Sequence, residues 1–290
     1  MIHPAIPEHL ASSTGYPEKK FVASILTSGC INKVYKIQAG RDTFVLKLNS
    51  SMAFPGMFDA EFKGLELLQS AGALHIPKPI SCFTVNENQC LFLEFIDSGR
   101  RKSDFFEDFG RKLAILHKHS AEQFGLNHDN YIGSLLQSNR KHTSWASFFS
   151  EERLLPQFKL ALDGGMLDSD AGKRLNSLCG QLVNIFPEET PALLHGDLWS
   201  GNYMTGPDGY AAVFDPAVYY GHREMDLAMS KLFGGFAPEF YEAYHKEFPL
   251  AQGWEERMEI CQLYPLLVHV NLFGAGYSQP VKSILRHWAE

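Results

Sequence analysis

His195-Gly196-Asp197-Leu198-Trp199-Ser200-Gly201-Asn202 is the segment that most narrows what this chain can become. It follows the apolar run Ala192-Leu193-Leu194, and a second run, Ala211-Ala212-Val213-Phe214, leads into Asp215, thirteen positions past Asn202. Short apolar runs that end in turn-forming residues read as strand ends. The fold therefore has to carry two carboxylates and a carboxamide on a central strand pair. Such an oxygen-rich set suits a reaction that takes a proton from a hydroxyl and holds Mg²⁺. Asp197 is the candidate base, and Asn202 and Asp215 are the candidate metal ligands. Alone, His-Gly-Asp would pass for a plain turn and Asp215 for a strand-end cap. In register, they point to chemistry.

A second pair of residues is unusual for its surroundings. Lys47 lies inside the β-rich run Phe44-Val45-Leu46-Lys47-Leu48, and Glu61 falls within the apolar stripe Phe58, Leu65, Leu68 of the helix that follows. A strand-edge lysine and a helix-boundary glutamate would account for each separately. A charge in an apolar setting is costly unless paired, so one Lys47–Glu61 ion pair accounts for both. Residues 34–37 and 43–48 flank Gln38-Ala39-Gly40-Arg41-Asp42 as a hairpin, and residues 89–96 read as another strand. The first hundred residues thus read as strands with one helix. Beyond Asp97-Ser98-Gly99 the pattern is mainly helical, notably over 168–186 and 255–273. The expected fold is α+β and bilobal, with a β-rich lobe over residues 1–97 and a larger, mainly helical lobe over 98–290.

Composition trims the alternatives. A 290-residue chain, 45% hydrophobic and 20% charged, is an ordinary globular protein. Its net charge of −7, with no Lys/Arg run, argues against a nucleic-acid partner. It leaves ATP open, because Mg²⁺ and one lysine neutralise a triphosphate locally. No apolar stretch is long enough for a bilayer span, and the start, Met1-Ile2-His3-Pro4, has no secretory pattern. Five scattered cysteines without C-x-x-C read as reduced thiols, so the expected compartment is cytoplasmic. The twelve histidines show no zinc-type spacing.

A base Asp, an Asn five positions later and a further metal Asp match the spacing of protein kinases. There a strand lysine paired to a helix glutamate holds the α- and β-phosphates. By that reading Thr27-Ser28-Gly29-Cys30-Ile31-Asn32 is the loop over the phosphates, with Cys30, Ile31 and Asn32 offering backbone N–H groups. Leu93-Glu94-Phe95-Ile96 is the connection that meets adenine, through backbone groups of Glu94 and Ile96.

With these residues in hand the chain resembles the fructosamine-3-kinases (ketosamine kinases), in the aminoglycoside phosphotransferase-like branch of the protein-kinase-like fold. The resemblance rests on His195 to Asn202 and on Asp215-Pro216-Ala217-Val218-Tyr219-Tyr220-Gly221-His222-Arg223-Glu224, continuing to Asp226-Leu227-Ala228. Phe124-Gly125, Asn130-Tyr131-Ile132-Gly133, the stretch 145–156 and Asn271-Leu272-Phe273-Gly274 support it. Asp215-Pro216-Ala217 stands where protein kinases carry D-F-G, so an activation switch built on that phenylalanine is not expected. The resemblance implies ATP and Mg²⁺ as cosubstrates and a sugar–amine adduct as acceptor. The γ-phosphoryl would go to the sugar's third hydroxyl, which destabilises the adduct and so repairs early glycation.

Trp199 either stacks on the acceptor or plugs the lobe's core. His222, Arg223 and Glu224 are candidates to line the acceptor site, with an Arg223–Asp226 ion pair as the structural alternative. His269 and Asn271, polar within an apolar helix, read as satisfied core groups. A kinase for an aminoglycoside, choline or another amino alcohol would share the base and metal ligands but not the Trp199 motif. A catalytically inactive nucleotide-binding scaffold is opposed by the presence of Lys47, Glu61, Asp197, Asn202 and Asp215 together.

Overall fold

The computed structural model describes residues 3–28 and 31–288; Cys30 of the expected phosphate loop lies outside them. In chain order the elements begin with α1 (Ile6–Thr14), β1 (Phe21–Ser28), β2 (Lys33–Ala39), β3 (Asp42–Ser50), α2 (Met57–Ser70), β4 (Pro79–Val85) and β5 (Asn88–Glu94). The strands form one antiparallel sheet in the order β1-β2-β3-β5-β4. The β2–β3 hairpin is tighter than its sequence suggested. Ala39 pairs with Asp42, and only Gly40-Arg41 turn the chain.

Period-two alternation in β3 decides which side chains face where. Leu46 and Leu48 join Tyr35, Ile37 and Phe92 in a core closed by Ile6 and Leu10 of α1. Helix α1 is, with strands β1 and β4, absent from the sequence reading: Ile6 and Leu10, one turn apart, give it only a short apolar stripe. The other face of β3 carries Lys47 and Asn49 toward α2, where Asn49 Nδ2 meets Met57 Sδ at 3.1 Å. Helix α2 itself follows the Phe58, Glu61, Leu65, Leu68 spacing.

The remaining elements are α3 (Phe105–His117), β6 (Asn130–Ile132), β7 (Leu135–Gln137), α4 (Trp145–Phe148), a π-helical turn at Phe149–Leu154, α5 (Leu155–Asp163), α6 (Ser169–Ile185), β8 (Ala192–Leu194), β9 (Tyr203–Thr205), β10 (Ala211–Val213), β11 (Tyr219–Gly221), α7 (Glu224–Leu232), α8 (Pro238–Glu247), α9 (Trp254–Phe273) and α10 (Ser278–Trp288). The expected helices over 168–186 and 255–273 are α6 and α9. Asp168 caps α6 by accepting Ala171 N–H at 2.9 Å.

The chain divides into two compact units, Met1–Lys102 with Met204–Asp215, and Ser103–Tyr203 with Pro216–Glu290. The sequence placed the change of character at residue 97; the first unit runs on to Lys102 and also takes in the segment ending at Asp215. That segment is stitched to it by Gly99 N–H to Thr205 O (3.0 Å) and Val213 N–H to His75 O (3.0 Å). One expectation is corrected here. The runs before Asp197 and Asp215 do not pair with each other: β8 pairs with β11, and β10 with β9. In the second unit, α3 packs on α8 and the residues leading into it through Phe109, whose ring centroid is 5.4 Å from that of Phe236, just before α8, and 5.2 Å from that of Phe240 within it. Burying each such ring stabilises the unit by about 1.5–3 kcal/mol.

Candidate active site

Two groups of functional side chains are assembled, one in each unit. In the first, Lys47 Nζ lies 2.6 Å from Glu61 Oε1 and 2.9 Å from Asp215 Oδ1. The Lys47 side chain is 4% exposed, and that of Asp215 is 50% exposed. Burial alone would lower the ammonium's pKa, but the Asp215 and Glu61 carboxylates outweigh it and hold Lys47 above its usual range. Burial pushes Glu61 up, and the adjacent ammonium works against that. The lysine is therefore a fixed cation, and its two partners orient it from opposite elements. Asp215 has φ 55°, a left-handed conformation uncommon for a non-glycine residue, though aspartate and asparagine tolerate it best and Asn86 in the β4–β5 turn shares it.

The residues expected to contact nucleotide lie on the same sheet lobe. Asn32, just before β2, accepts Asn49 Nδ2 at 3.1 Å, which ties the last residue of the expected phosphate loop to β3. Ile31 precedes it, partly buried. Glu94 closes β5, donating its N–H to Lys78 O at 2.9 Å while its carboxylate accepts Lys78 N–H at 3.1 Å. Ile96, buried, follows two positions later.

In the second unit the His-Gly-Asp turn follows β8. Its geometry requires glycine twice over. Gly196 has φ 82°, and a Cβ there would meet Ala217 O at 2.0 Å. The turn is held from below by Asp226 of α7, which accepts His195 N–H at 2.7 Å and Gly196 N–H at 2.9 Å, and meets His117 Nε2 at 3.2 Å. Burial opposes ionisation of Asp226, but these donors outweigh it and keep the carboxyl below its usual range. Asp197 leaves the turn with its N–H on His195 Nδ1 at 3.3 Å. Asn202 Nδ2 then donates to both Asp197 O (2.9 Å) and Asp197 Oδ2 (2.8 Å). The five-position spacing thus exists so that the carboxamide can grip the aspartate.

A small cavity opens beside Asp197, walled by Tyr219, Met225, Met229, Tyr264 and His269. About 20 Å³ of it is open to the centre of a water-sized sphere, room for about one water. Trp199 lies over Gly201, where a Cβ would meet the indole at 2.4 Å. Its ring meets Phe233 edge-on at 6.1 Å, and Phe233 meets His269 at 4.5 Å. Trp199 is therefore the outer member of an aromatic row that ends at the cavity. His269 Nδ1–H donates to Pro265 O (2.7 Å), and burial lowers its pKa, which favours the neutral imidazole.

The structure corrects the reading of three residues and of Asp226. His222, Arg223 and Glu224 are all buried, and none lines the cavity beside Asp197. Arg223 forms a fork with Glu189 (2.8 Å to each oxygen) and caps Phe248 O and Pro249 O. Glu224 pairs with Arg257 at 2.6 Å. Burial pushes the His222 imidazole down to about 4, so it is neutral and packs against Trp145 and Phe186. These side chains anchor the β11–α7 corner. Asp226, weighed as an ion-pair partner of Arg223, serves the base turn instead.

His269 and Tyr264 were overlooked as cavity residues. The one signal that could have found them is spacing: 264, 265, 268 and 269 share a face of α9, and Met225 and Met229 share one of α7. Asn271, expected to be a satisfied core group, is half-buried and only partly satisfied: Nδ2 donates to Gln157 Oε1 at 2.7 Å and to Gln157 O at 2.9 Å, while its buried Oδ1 has no hydrogen-bond partner among the described residues.

A sequence model of the fructosamine kinase family matches residues 2–290. A probable ketoamine kinase of Enterococcus faecium is 38% identical over 265 residues, covering 91% of this chain and 94% of its own. The chloroplastic protein-ribulosamine 3-kinase of Arabidopsis thaliana is 38% identical over 262 residues, covering 89% of this chain and 79% of its own. Among solved structures, a candidate fructosamine-3-kinase from Thermobifida fusca superposes with a TM-score of 0.87 at 32% identity, over 97% of each chain. An aminoglycoside phosphotransferase, APH(4)-Ia, in complex with AMP-PNP and hygromycin B, gives a TM-score of 0.65 at 16% identity over 97% and 98% of the two chains, a likeness of fold. Among the described residues no helix is long and apolar enough to cross a membrane.

Proposed function

Since the chain belongs to the fructosamine kinase family and is a phosphotransferase acting on a hydroxyl group, we propose that it transfers the γ-phosphoryl of Mg·ATP to the third hydroxyl of a ketosamine. The observation that carries this reading is Asp197, clasped by Asn202 and facing a cavity that admits little more than a hydroxyl. In the proposed step Asp197 accepts the acceptor's proton as the oxygen attacks phosphorus. A carboxylate is a weak base, but a loose transition state asks for the proton late.

Lys47, kept charged by two carboxylates, would neutralise the α- and β-phosphates. The donor chemistry of Asn202 and Asp215 fits Mg²⁺, which takes hard oxygens and few protein ligands. With its amide nitrogen on Asp197, Asn202 would turn Oδ1 to the metal, and Asp215 would supply a carboxylate oxygen. Backbone groups at Ile31, Asn32, Glu94 and Ile96 would meet the nucleotide. Trp199 and neutral His269 offer aromatic faces to the sugar or its protonated amine, with the variable amine tail directed outward. Phosphorylation at that hydroxyl would destabilise the adduct by making the oxygen a good leaving group; loss of phosphate by elimination, then hydrolysis of the C–N bond, would free the amine, a deglycation repair that a cytoplasmic setting suits.

Screening phosphate transfer from Mg·ATP to ribulosamines, fructosamines, kanamycin and choline tests the proposal. Transfer to ketosamines, weakly dependent on the amine, is expected. Efficient transfer to kanamycin or choline with every ketosamine untouched would overturn the acceptor assignment.

A further inference from the structure

Behind the cavity wall sits a buried cation that the proposed chemistry does not use. Arg153, in the π-helical turn Phe149–Leu154, is fully buried. Its guanidinium carbon lies 4.1 Å from the ring centre of Tyr219, 4.5 Å from that of Phe148 and 5.4 Å from that of Tyr264. Its hydrogen bonds go to Ser138 O (2.5 Å), Glu152 O (3.1 Å) and Asn139 Oδ1 (2.7 Å). Among the described residues no carboxylate pairs with it. A buried charge held by neutral acceptors is expensive, and π-helical turns recur at functional sites. Both features call for a reason beyond packing.

The reason is where the hydrogen bonds lead. Arginine is donor-only, so Asn139 must turn its oxygen to it. Asn139 Nδ2 then donates to Asn130 Oδ1 (3.0 Å), and Asn130 Nδ2 donates to Val218 O (2.8 Å). Gln137 Nε2 joins at Asn130 Oδ1 (2.7 Å) and at Ala217 O (3.2 Å), and its own oxygen accepts the Tyr264 hydroxyl at 2.6 Å. The chain runs in one direction, from the cation through two carboxamides into the backbone at 217–218. Each bond polarises the next. The endpoint matters because Ala217 O is the atom pressed on Gly196, and Ala217 N–H is bonded to His195 O at 2.9 Å. The Asn130-Tyr131-Ile132-Gly133 motif and the 145–156 stretch, which the proposed reaction leaves idle, supply this network.

We propose that Arg153 is a positioning residue for phosphoryl transfer: through Asn139 and Asn130 it fixes residues 217–218 against the His195–Asp197 turn, and by stacking under Tyr219 and Tyr264 it fixes the wall of the acceptor cavity. Asp226 holds the turn from one side, and the Arg153 network holds it from the other. Without the guanidinium the two carboxamides lose their fixed orientation, and Asp197 loses its register with the acceptor hydroxyl. A displacement of about 1 Å costs on the order of 10²-fold in such reactions.

The test uses Arg153→Lys and Asn139→Asp in the full-length enzyme. Asn139→Asp is the cleaner variant, since it keeps the partner of Arg153, as a carboxylate, and removes the donor to Asn130. Both should lower kcat/KM for the ketosamine by at least about tenfold and leave the Kd for ATP within about twofold. Hydrogen exchange at residues 195–198 and 217–220 should quicken in both variants while exchange in β1–β5 stays unchanged. The inference rests on the kinase reading, yet the two fail differently. Wild-type protein that phosphorylates no ketosamine defeats that reading, while the exchange measurement still judges the network. Unchanged exchange at 195–198 in Asn139→Asp, or wild-type turnover in both variants, overturns the role of Arg153.

Discussion

Asp226→Asn alters the support of the base turn with almost no change in volume. The native carboxylate accepts Gly196 N–H on one oxygen, and His195 N–H together with His117 on the other. A carboxamide has one oxygen, so in either orientation its NH₂ opposes a backbone N–H. The variant loses one charge-assisted hydrogen bond, about 1.5–3 kcal/mol, and strands one buried donor, about 1–3 kcal/mol. A combined loss of about 2.5–6 kcal/mol lowers Tm by about 5–24 °C for a unit of this size. The pH dependence has a definite sign. Because the folded-state pKa of Asp226 is depressed, its contribution is fully present above the unfolded value of about 3.9 and disappears as pH falls through the folded value. The difference in Tm between wild type and variant should therefore be level near neutrality and shrink in strong acid. Thermal unfolding followed by circular dichroism, with parallel kinetics, reads both. A variant within 2 °C of wild type, with wild-type kcat, would refute the claim that Asp226 holds the turn.

Lys47→Met should break a buried pair whose loss costs about 3–5 kcal/mol and abolish detectable transfer, since Glu61 is left buried without its ammonium; a stable, active variant would contradict the pairing. Trp199→Ala should raise KM for the ketosamine more than KM for ATP, measured in one steady-state series; the opposite split would place the indole on the nucleotide side. Burial pushes the Cys82 and Cys90 thiols up to about 12 and raises those of Cys179 and Cys261 too, so native protein at pH 7.5 should label slowly with maleimide at these four, and quickly once unfolded. Fast native labelling of Cys90 would contradict its packing.

Much of the fold was legible because it is written locally. The stripe Phe58, Glu61, Leu65, Leu68 specifies α2, and its one charge foretold the partner on β3. The contact between the candidate base and its clasping asparagine was legible because their spacing is itself the geometry: a tight turn brings Asn202 back onto Asp197. What was hidden depends on contacts far apart in sequence. Nothing near Asp226 shows that its partners are backbone N–H groups some thirty positions earlier, so an arginine three positions away was the natural guess. His222, Arg223 and Glu224 adjoin the candidate metal aspartate in sequence, but a half-buried glutamate at 189 and a buried arginine at 257 draw them inward. His269 looked like a core group because helix α9 is apolar nearly all round; only the fold of the second unit brings that face to Asp197. The pairing of β8 with β11 was likewise beyond local pattern, since three-residue strands carry too little periodicity to choose a partner.

The most direct test of the account is the position and rate of phosphate transfer in wild type and Asp197→Asn. Purified enzyme, Mg·ATP and a ribulosamine are followed by phosphorus NMR with proton coupling to the sugar. The account predicts a phosphate ester at the third carbon's oxygen, formed by wild type and slowed by about 10²–10⁴ in Asp197→Asn, with ATP binding retained. A phosphate at another oxygen would contradict the regiochemistry, and wild-type turnover by Asp197→Asn would remove Asp197 from the role of base.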